Sequence, residues 1–264
     1  MITIRSTDEL TRLEQASRVV LETLDVLEKA VQPGVTTEEL DAIAAEEIRR
    51  RGARPAFLGY RGFPKTICTS VNDEVVHGIP AKRLLKEGDI VGIDCGAVVE
   101  GYYGDAARTL PVGRIDTARR KLLEATRLAL EAGIAAARPG GRVSDIGAAV
   151  EAIGVASGYG VVREFVGHGV GTALHEEPQV PNYGPAGRGS TLRPGMVLAI
   201  EPMFNLGAGE VTVDRDGWTV RTRDRSASAH FEYTVAIASA GAVVLGTGRL
   251  GASAGSREAA AVPA

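Results

Sequence analysis

Ile90-Val91-Gly92-Ile93-Asp94-Cys95-Gly96-Ala97-Val98-Val99-Glu100-Gly101-Tyr102-Tyr103-Gly104-Asp105-Ala106-Ala107-Arg108-Thr109-Leu110-Pro111-Val112 reads as a β-hairpin, with Glu100-Gly101 near the turn. The turn sets the register. A four-residue loop at Val98 to Gly101 puts Asp94 directly opposite Asp105, whereas a two-residue loop at Glu100-Gly101 makes them diagonal neighbours. Either way both carboxylates can share one face of the sheet, where like charges repel unless something compensates. A divalent cation is the obvious compensator, because hard cations favour carboxylate oxygens. From these two residues alone, that reading stands level with a different register that turns one aspartate to solvent.

Outward from the hairpin the period changes. Residues 7 to 31 show a helical pattern carried by Leu10, Leu13, Val20, Leu21, Leu24 and Leu27. Ser6 and Glu9 have capping-box spacing, and Pro33-Gly34 ends the pattern. A second helix opens with another box, Thr36 and Glu39, and stops near Gly52, before a strand at Thr66 to Val71. After the hairpin the order repeats. A helix spans Thr117 to Ala137 and ends at Pro139-Gly140, and a shorter one runs from Ser144-Asp145 to Gly158-Tyr159-Gly160. Strand-like segments then continue to about Leu245. This predicts an α+β chain with one domain over residues 1–250, made of similar halves (about 1–114 and 115–250) from an old duplication. Residues 251–264, rich in Ala, Gly and Ser, read as a flexible tail. Gly251-Ala252-Ser253-Ala254-Gly255 matches a serine-hydrolase elbow formally, yet no histidine follows it, so it reads as a compositional accident.

The balance of 30 Lys+Arg against 33 Asp+Glu forces no basic face, and nucleic acid is not an expected partner. Cys68 and Cys95 form no Cys-x-x-Cys pair, which argues against a thiolate zinc cage. No signal peptide and no membrane-length apolar run are visible, so a cytoplasmic location is expected.

Beyond the hairpin, Phe165-Val166-Gly167-His168-Gly169-Val170-Gly171-Thr172-Ala173-Leu174-His175-Glu176-Glu177-Pro178 carries two of the four histidines. A lone histidine is more often a packed core residue. Here, glycines on both sides of His168 let backbone pass close to a ligand or metal. It is not the helical His-Glu-x-x-His zinc motif, because Gln179 stands where the second histidine belongs. Val197-Leu198-Ala199-Ile200-Glu201 is an apolar strand that delivers a carboxylate to its end, and Glu232 is another acid in a strand pattern. Buried carboxylates need cations or hydrogen bonds. Singly each acid fits a solvent-facing strand position. Together the four acids and one histidine suit a pair of first-row divalent ions.

At these residues the sequence closely resembles the type I methionine aminopeptidases, over roughly Ser6 to Leu245. The most specific pieces are Ile93-Asp94, Gly101-Tyr102-Tyr103-Gly104-Asp105, Gly167-His168-Gly169-Val170-Gly171, His175-Glu176-Glu177-Pro178, Ile200-Glu201-Pro202 and Phe231-Glu232. The resemblance implies a pita-bread fold, in which two pseudo-symmetric halves share a curved antiparallel sheet covered by helices. It implies removal of the initiator methionine ahead of a small second residue. It also implies Asp94, Asp105, His168, Glu201 and Glu232 as ligands of two ions (Mn, Fe, Co or Zn), with Asp105 and Glu232 bridging. Glu201, His175 and His77 are the implied catalytic residues. Tyr60, Phe63, Cys68 and Trp218 are implied to form the methionine pocket, with Phe57 and Leu174 at its edge and His77 and His175 touching substrate. Phe57, Phe63 and Leu174 differ in identity from the best-known bacterial members. A structural monovalent cation, nascent polypeptide N-termini as partners, transient ribosome contact and a monomeric state belong to the same expectation. Cys95, next to a ligand, should face the other way and be core. Two competing readings are an Xaa-Pro peptidase and a non-catalytic binding protein of the same fold.

Overall fold

The computed structural model describes residues 1–250. The expected tail and its Gly251–Gly255 motif lie outside the described residues. Helices α1 (Thr7–Ala30) and α2 (Thr37–Arg50) precede strands β1 (Arg54–Pro55), β2 (Ile67–Val71), β3 (Glu74–Val76), β4 (Ile90–Val99) and β5 (Tyr102–Pro111). Helices α3 (Thr117–Ala136) and α4 (Val143–Ser157) follow, then β6 (Gly160–Val161), β7 (Gly167–Gly169), β8 (Glu176–Val180), β9 (Val197–Ile200) and β10 (Met203–Asn205). The described chain ends with β11 (Val211–Val213), β12 (Val220–Thr222), β13 (Ser228–His230), β14 (Glu232–Ala238) and β15 (Gly241–Val244).

Local chemistry accounts for the helix starts. Ser6 Oγ accepts from the Glu9 N–H at 3.3 Å, and the Glu9 carboxylate accepts from the Ser6 N–H at 2.9 Å. Thr36 and Glu39 make the same reciprocal pair, at 3.1 and 2.7 Å. Each box satisfies two of the N–H groups that a helix start leaves unpaired.

The main sheet has nine antiparallel strands in the order β1-β4-β5-β14-β9-β7-β8, with β2 added to β4 and β15 to β14. Val99 pairs with Tyr102, so the hairpin turn has the two residues Glu100 and Gly101, at φ 48° and 84°. Two successive positive φ values match the twist of the flanking strands. Asp94 therefore lies opposite Ala107 and Asp105 opposite Gly96, which makes the aspartates diagonal neighbours on one face. Ala107 is also registered against Glu232 on the other side. The row Asp94–Ala107–Glu232 thus crosses three strands, and the small alanine leaves room between the acids. His168 pairs with Ala199, two residues before Glu201 and on the same pleat face. Register alone gathers all five side chains.

The opposite face of the sheet is the core. Cys95, Ala97, Ala106, Ile200 and Tyr233 join Val20, Leu24 and Leu27 of α1 in one buried cluster. Gly104 lets α1 lie directly on β5, since a Cβ there would stand 2.5 Å from the Ser17 nitrogen. The apolar stripe of α1 thereby fixes the back of the strand that carries Asp105. Two three-stranded sheets, β13-β10-β6 and β11-β12-β3, flank the main one. No helix among the described residues is long and apolar enough to cross a membrane.

Candidate active site

The open face of the sheet borders a cavity of ≈ 160 Å³. Asp94, Asp105, His168, Glu201 and Glu232 line its inner end. Ligand atoms of Asp105, His168 and Glu232 lie within 4.8 Å of one another. His168 Nε2 stands 3.6 Å from Glu201 Oε1 and 3.9 Å from Asp105 Oδ2. Its other ring nitrogen, Nδ1, is 2.9 Å from the Gly169 carbonyl oxygen. A proton on Nδ1 satisfies that carbonyl and leaves the Nε2 lone pair free toward the carboxylates.

The glycines around His168 serve the neighbouring strands rather than the cavity. A Cβ on Gly167 would lie 2.3 Å from the Ala199 oxygen of β9, and one on Gly169 would lie 2.3 Å from the Glu177 oxygen of β8. They allow β7 to be squeezed between its partners, which holds the imidazole at a fixed depth. Arg5 pairs with Glu176, whose carboxylate also accepts from the Thr172 and Ala173 N–H groups at 2.9 and 3.1 Å. The N-terminal segment thereby ties down the loop before His175.

Burial governs the titration of these groups. It raises Asp94 to about 7. It pushes Asp105, Glu201 and Glu232 well above the carboxylate range, with repulsion among the acids adding to it. Burial lowers His168 to about 3 and His77 to about 4, and repulsion from His175 lowers each further. Asp94 Oδ1, Asp105 Oδ1 and Glu232 Oε1 are buried without hydrogen-bond partners. Unpaired buried carboxylate oxygens are expensive, and a cation among them removes that cost. The residues present therefore fit a divalent metal.

The remaining wall is apolar. Phe57, Phe63, Cys68 and Leu174 form a buried cluster against which Tyr60 and Trp218 pack. The Phe63 and Trp218 rings meet edge to face at 5.1 Å. His77 sits at φ 60°, its ring edge-on to Phe165 at 5.5 Å. His175 is at the open end, with Nδ1 2.8 Å from the Tyr60 hydroxyl and its ring 4.2 Å from that of His168. Burial, and then Arg61, lower its pKa.

The fourteen residues bordering the cavity include all thirteen singled out from the sequence, and Arg61 besides. Arg61 lies at φ 48° in a short 3₁₀ turn, Tyr60–Gly62, with no periodic pattern to mark it. His230 was also missed. It is buried just behind the acids, with Nε2 3.7 Å from Glu201 Oε2 and 3.8 Å from Glu232 Oε2. The period-2 alternation that sets Cys95 aside puts His230 on the side of Glu232, and that signal was available.

A carboxylate and imidazole cluster of this kind, at the inner end of a half-apolar cavity on a curled antiparallel sheet, defines a metallopeptidase. The chain matches metallopeptidase family M24 over residues 11–239 and belongs to it. It is 49% identical over 246 residues to a methionine aminopeptidase of Clostridium acetobutylicum, spanning 93% of this chain and 98% of that protein. The crystal structure of methionine aminopeptidase from Rickettsia prowazekii superposes with a TM-score of 0.92 at 40% identity, covering 93% of this chain and 100% of that one. That likeness shows the α+β pita-bread fold. Prolidase from Pyrococcus furiosus shares the fold alone, at 23% identity and a TM-score of 0.73, with 65% of its length covered. Membership of the family implies a divalent metal.

Proposed function

We propose that this chain is a methionine aminopeptidase, which removes the initiator methionine from new polypeptides. The observation that carries this is the cavity itself, lined both by the four acids and His168 and by Phe63, Cys68 and Trp218. Aromatic rings make favourable contacts with a thioether, and an apolar slot suits methionine's flexible side chain. Near full-length similarity to methionine aminopeptidases supports the same reading.

Asp94, Asp105, His168, Glu201 and Glu232 are the residues that would hold two divalent ions. Ions in that place would supply Lewis-acid polarisation and lower the pKa of a nearby water. The mixed oxygen and nitrogen donors admit Mn, Fe, Co or Zn. Glu201 takes a proton from the attacking water and returns one to the leaving amine. His175 donates a hydrogen bond to the scissile carbonyl as negative charge develops on its oxygen. The Tyr60 hydroxyl at its Nδ1 fixes the direction of that ring. His77, held in a left-handed backbone conformation beside Phe165, lines the path of the scissile bond. A narrow site admits only small second residues. The reaction takes place in the cytoplasm, within one catalytic domain whose halves contribute two and three of the metal ligands.

Peptide cleavage tests this reading. With metal supplied, Met-Ala peptides should release methionine, while Met-Lys and Ala-Pro peptides should not. Cleavage of Ala-Pro alone would assign the chain to the Xaa-Pro peptidases, and failure on every peptide despite bound metal would make it a binding protein.

A further inference from the structure

We infer that His230 is a positioning residue for the metal-binding carboxylates, its Nε2–H restraining Glu201 and Glu232 from behind the cavity wall. The inference rests on the metal reading above and extends it to a side chain outside the cavity. His230 is 4% exposed, and its Nε2 is buried with no hydrogen-bond partner. Glu201 Oε2 and Glu232 Oε2, at 3.7 and 3.8 Å, are the acceptors it faces. Closing either gap to the usual ~3 Å takes a shift of about 0.7–0.8 Å, within reach of a small χ adjustment.

The backbone holds the ring in place. His230 pairs with Met203 across β13 and β10. Its N–H donates to Thr109 Oγ1 at 2.9 Å, and its carbonyl accepts from the same hydroxyl at 2.8 Å. Thr109 belongs to β5, the strand of Asp105, so the restraint is anchored to the sheet that carries the acids. His230 does not border the cavity, which places it behind the carboxylates rather than among groups facing substrate. A neutral imidazole offers one N–H and one lone pair. Facing two carboxylate oxygens, the N–H is the complementary atom. Glu232 Oε1 is itself unpartnered, so holding Oε2 from behind would leave Oε1 available to a cation. Outer partners of this kind orient ligands and raise metal affinity.

The test is calorimetric titration of Mn²⁺ into chelator-stripped wild type and the variants His230→Gln, His230→Leu and His230→Met, with melting curves in chelator for each. An amide N–H can replace the imidazole donor, whereas leucine and methionine keep bulk without a donor. Mn²⁺ affinity should fall about 10–100-fold in the Leu and Met variants and stay within about threefold of wild type in the Gln variant. Unchanged affinity in a folded Leu or Met variant overturns the inference and leaves the metal reading standing. A Gln variant as weak as the others overturns the donor role. Wild type that takes up no Mn²⁺ overturns the metal reading, and this inference with it.

Discussion

Replacing Asp94 with asparagine should make the metal-free protein more stable, by an amount that grows with pH. Asp94 is pushed from its ordinary 3.8 to about 7, first of all by burial. Because the folded-state pKa lies above the unfolded one, the fold holds the proton more tightly than the unfolded chain does. Below about pH 4 both states are protonated and nothing is lost. Between about pH 4 and 7 the ionisation of Asp94 by itself costs the metal-free fold about 1.4 kcal/mol per pH unit, and above that its contribution levels at about 4 kcal/mol. Asparagine keeps the shape and cannot ionise. In chelator, Asp94→Asn should therefore exceed wild type by about 4 kcal/mol at pH 8, a gain of about 8 °C in a chain this long. The advantage should shrink by about 2–3 kcal/mol on going to pH 5. Urea denaturation at both pH values measures it. Adding metal at a hundredfold excess over its Kd should stabilise wild type by about 2.7 kcal/mol and the variant far less. An Asp94→Asn advantage that is absent, or equal at pH 5 and pH 8, would refute the view that an ionised carboxylate there is a burden without a cation.

The two histidines of the glycine-rich segment should separate. His168→Ala should need far more added metal to reach its maximal rate. His175→Ala should bind metal nearly normally yet turn over about 10²–10³-fold more slowly, as expected for loss of an oxyanion donor. Metal titration of activity with calorimetry decides, and rescue of His175→Ala by metal would reverse the assignment. Gly104→Ala drives a Cβ to within 2.5 Å of the α1 backbone. It should cost about 1–3 kcal/mol and weaken metal binding through the adjacent Asp105, as calorimetric melting with and without metal would show. A melting temperature equal to wild type would mean that α1 does not depend on that contact.

The elements legible in the sequence share one property: their signal is local. Ser6/Glu9 and Thr36/Glu39 mark helix starts because a capping box closes within four residues. The hairpin was legible as a hairpin, but both turn lengths were compatible with its pattern. The two-residue turn requires positive φ at both Glu100 and Gly101, and glutamate is not a usual residue there, so the local sequence does not select it. The glycines beside His168 show the opposite limit. Their need for small size was visible, but its cause, the carbonyls of Ala199 and Glu177, lies in strands 8 to 32 residues away. Arg61 and His230 differ in legibility. Arg61 sits in a short 3₁₀ turn with no period to mark it, whereas the period-2 alternation puts His230 on the side of Glu232 even though it stands at a strand end where the chain passes from β13 to β14. Resemblance supplied the roles of the pocket residues, which no periodicity encodes.

The position of β14 in the sheet has a consequence for how the molecule comes into being. It is the second-to-last described strand in the chain, yet it lies between β5 and β9 at the centre of the sheet. Strands β1, β2, β4 and β5 therefore have no continuous sheet with β7, β8 and β9 until residues 232–238 are inserted. That same insertion brings in Glu232. The joining of these two strand groups and the completion of the acid cluster are one event. Pairing over such sequence distances is slow. A truncated or half-folded chain is thus left without its last carboxylate as well as its central strand, so hydrolytic competence is withheld until the architecture is whole.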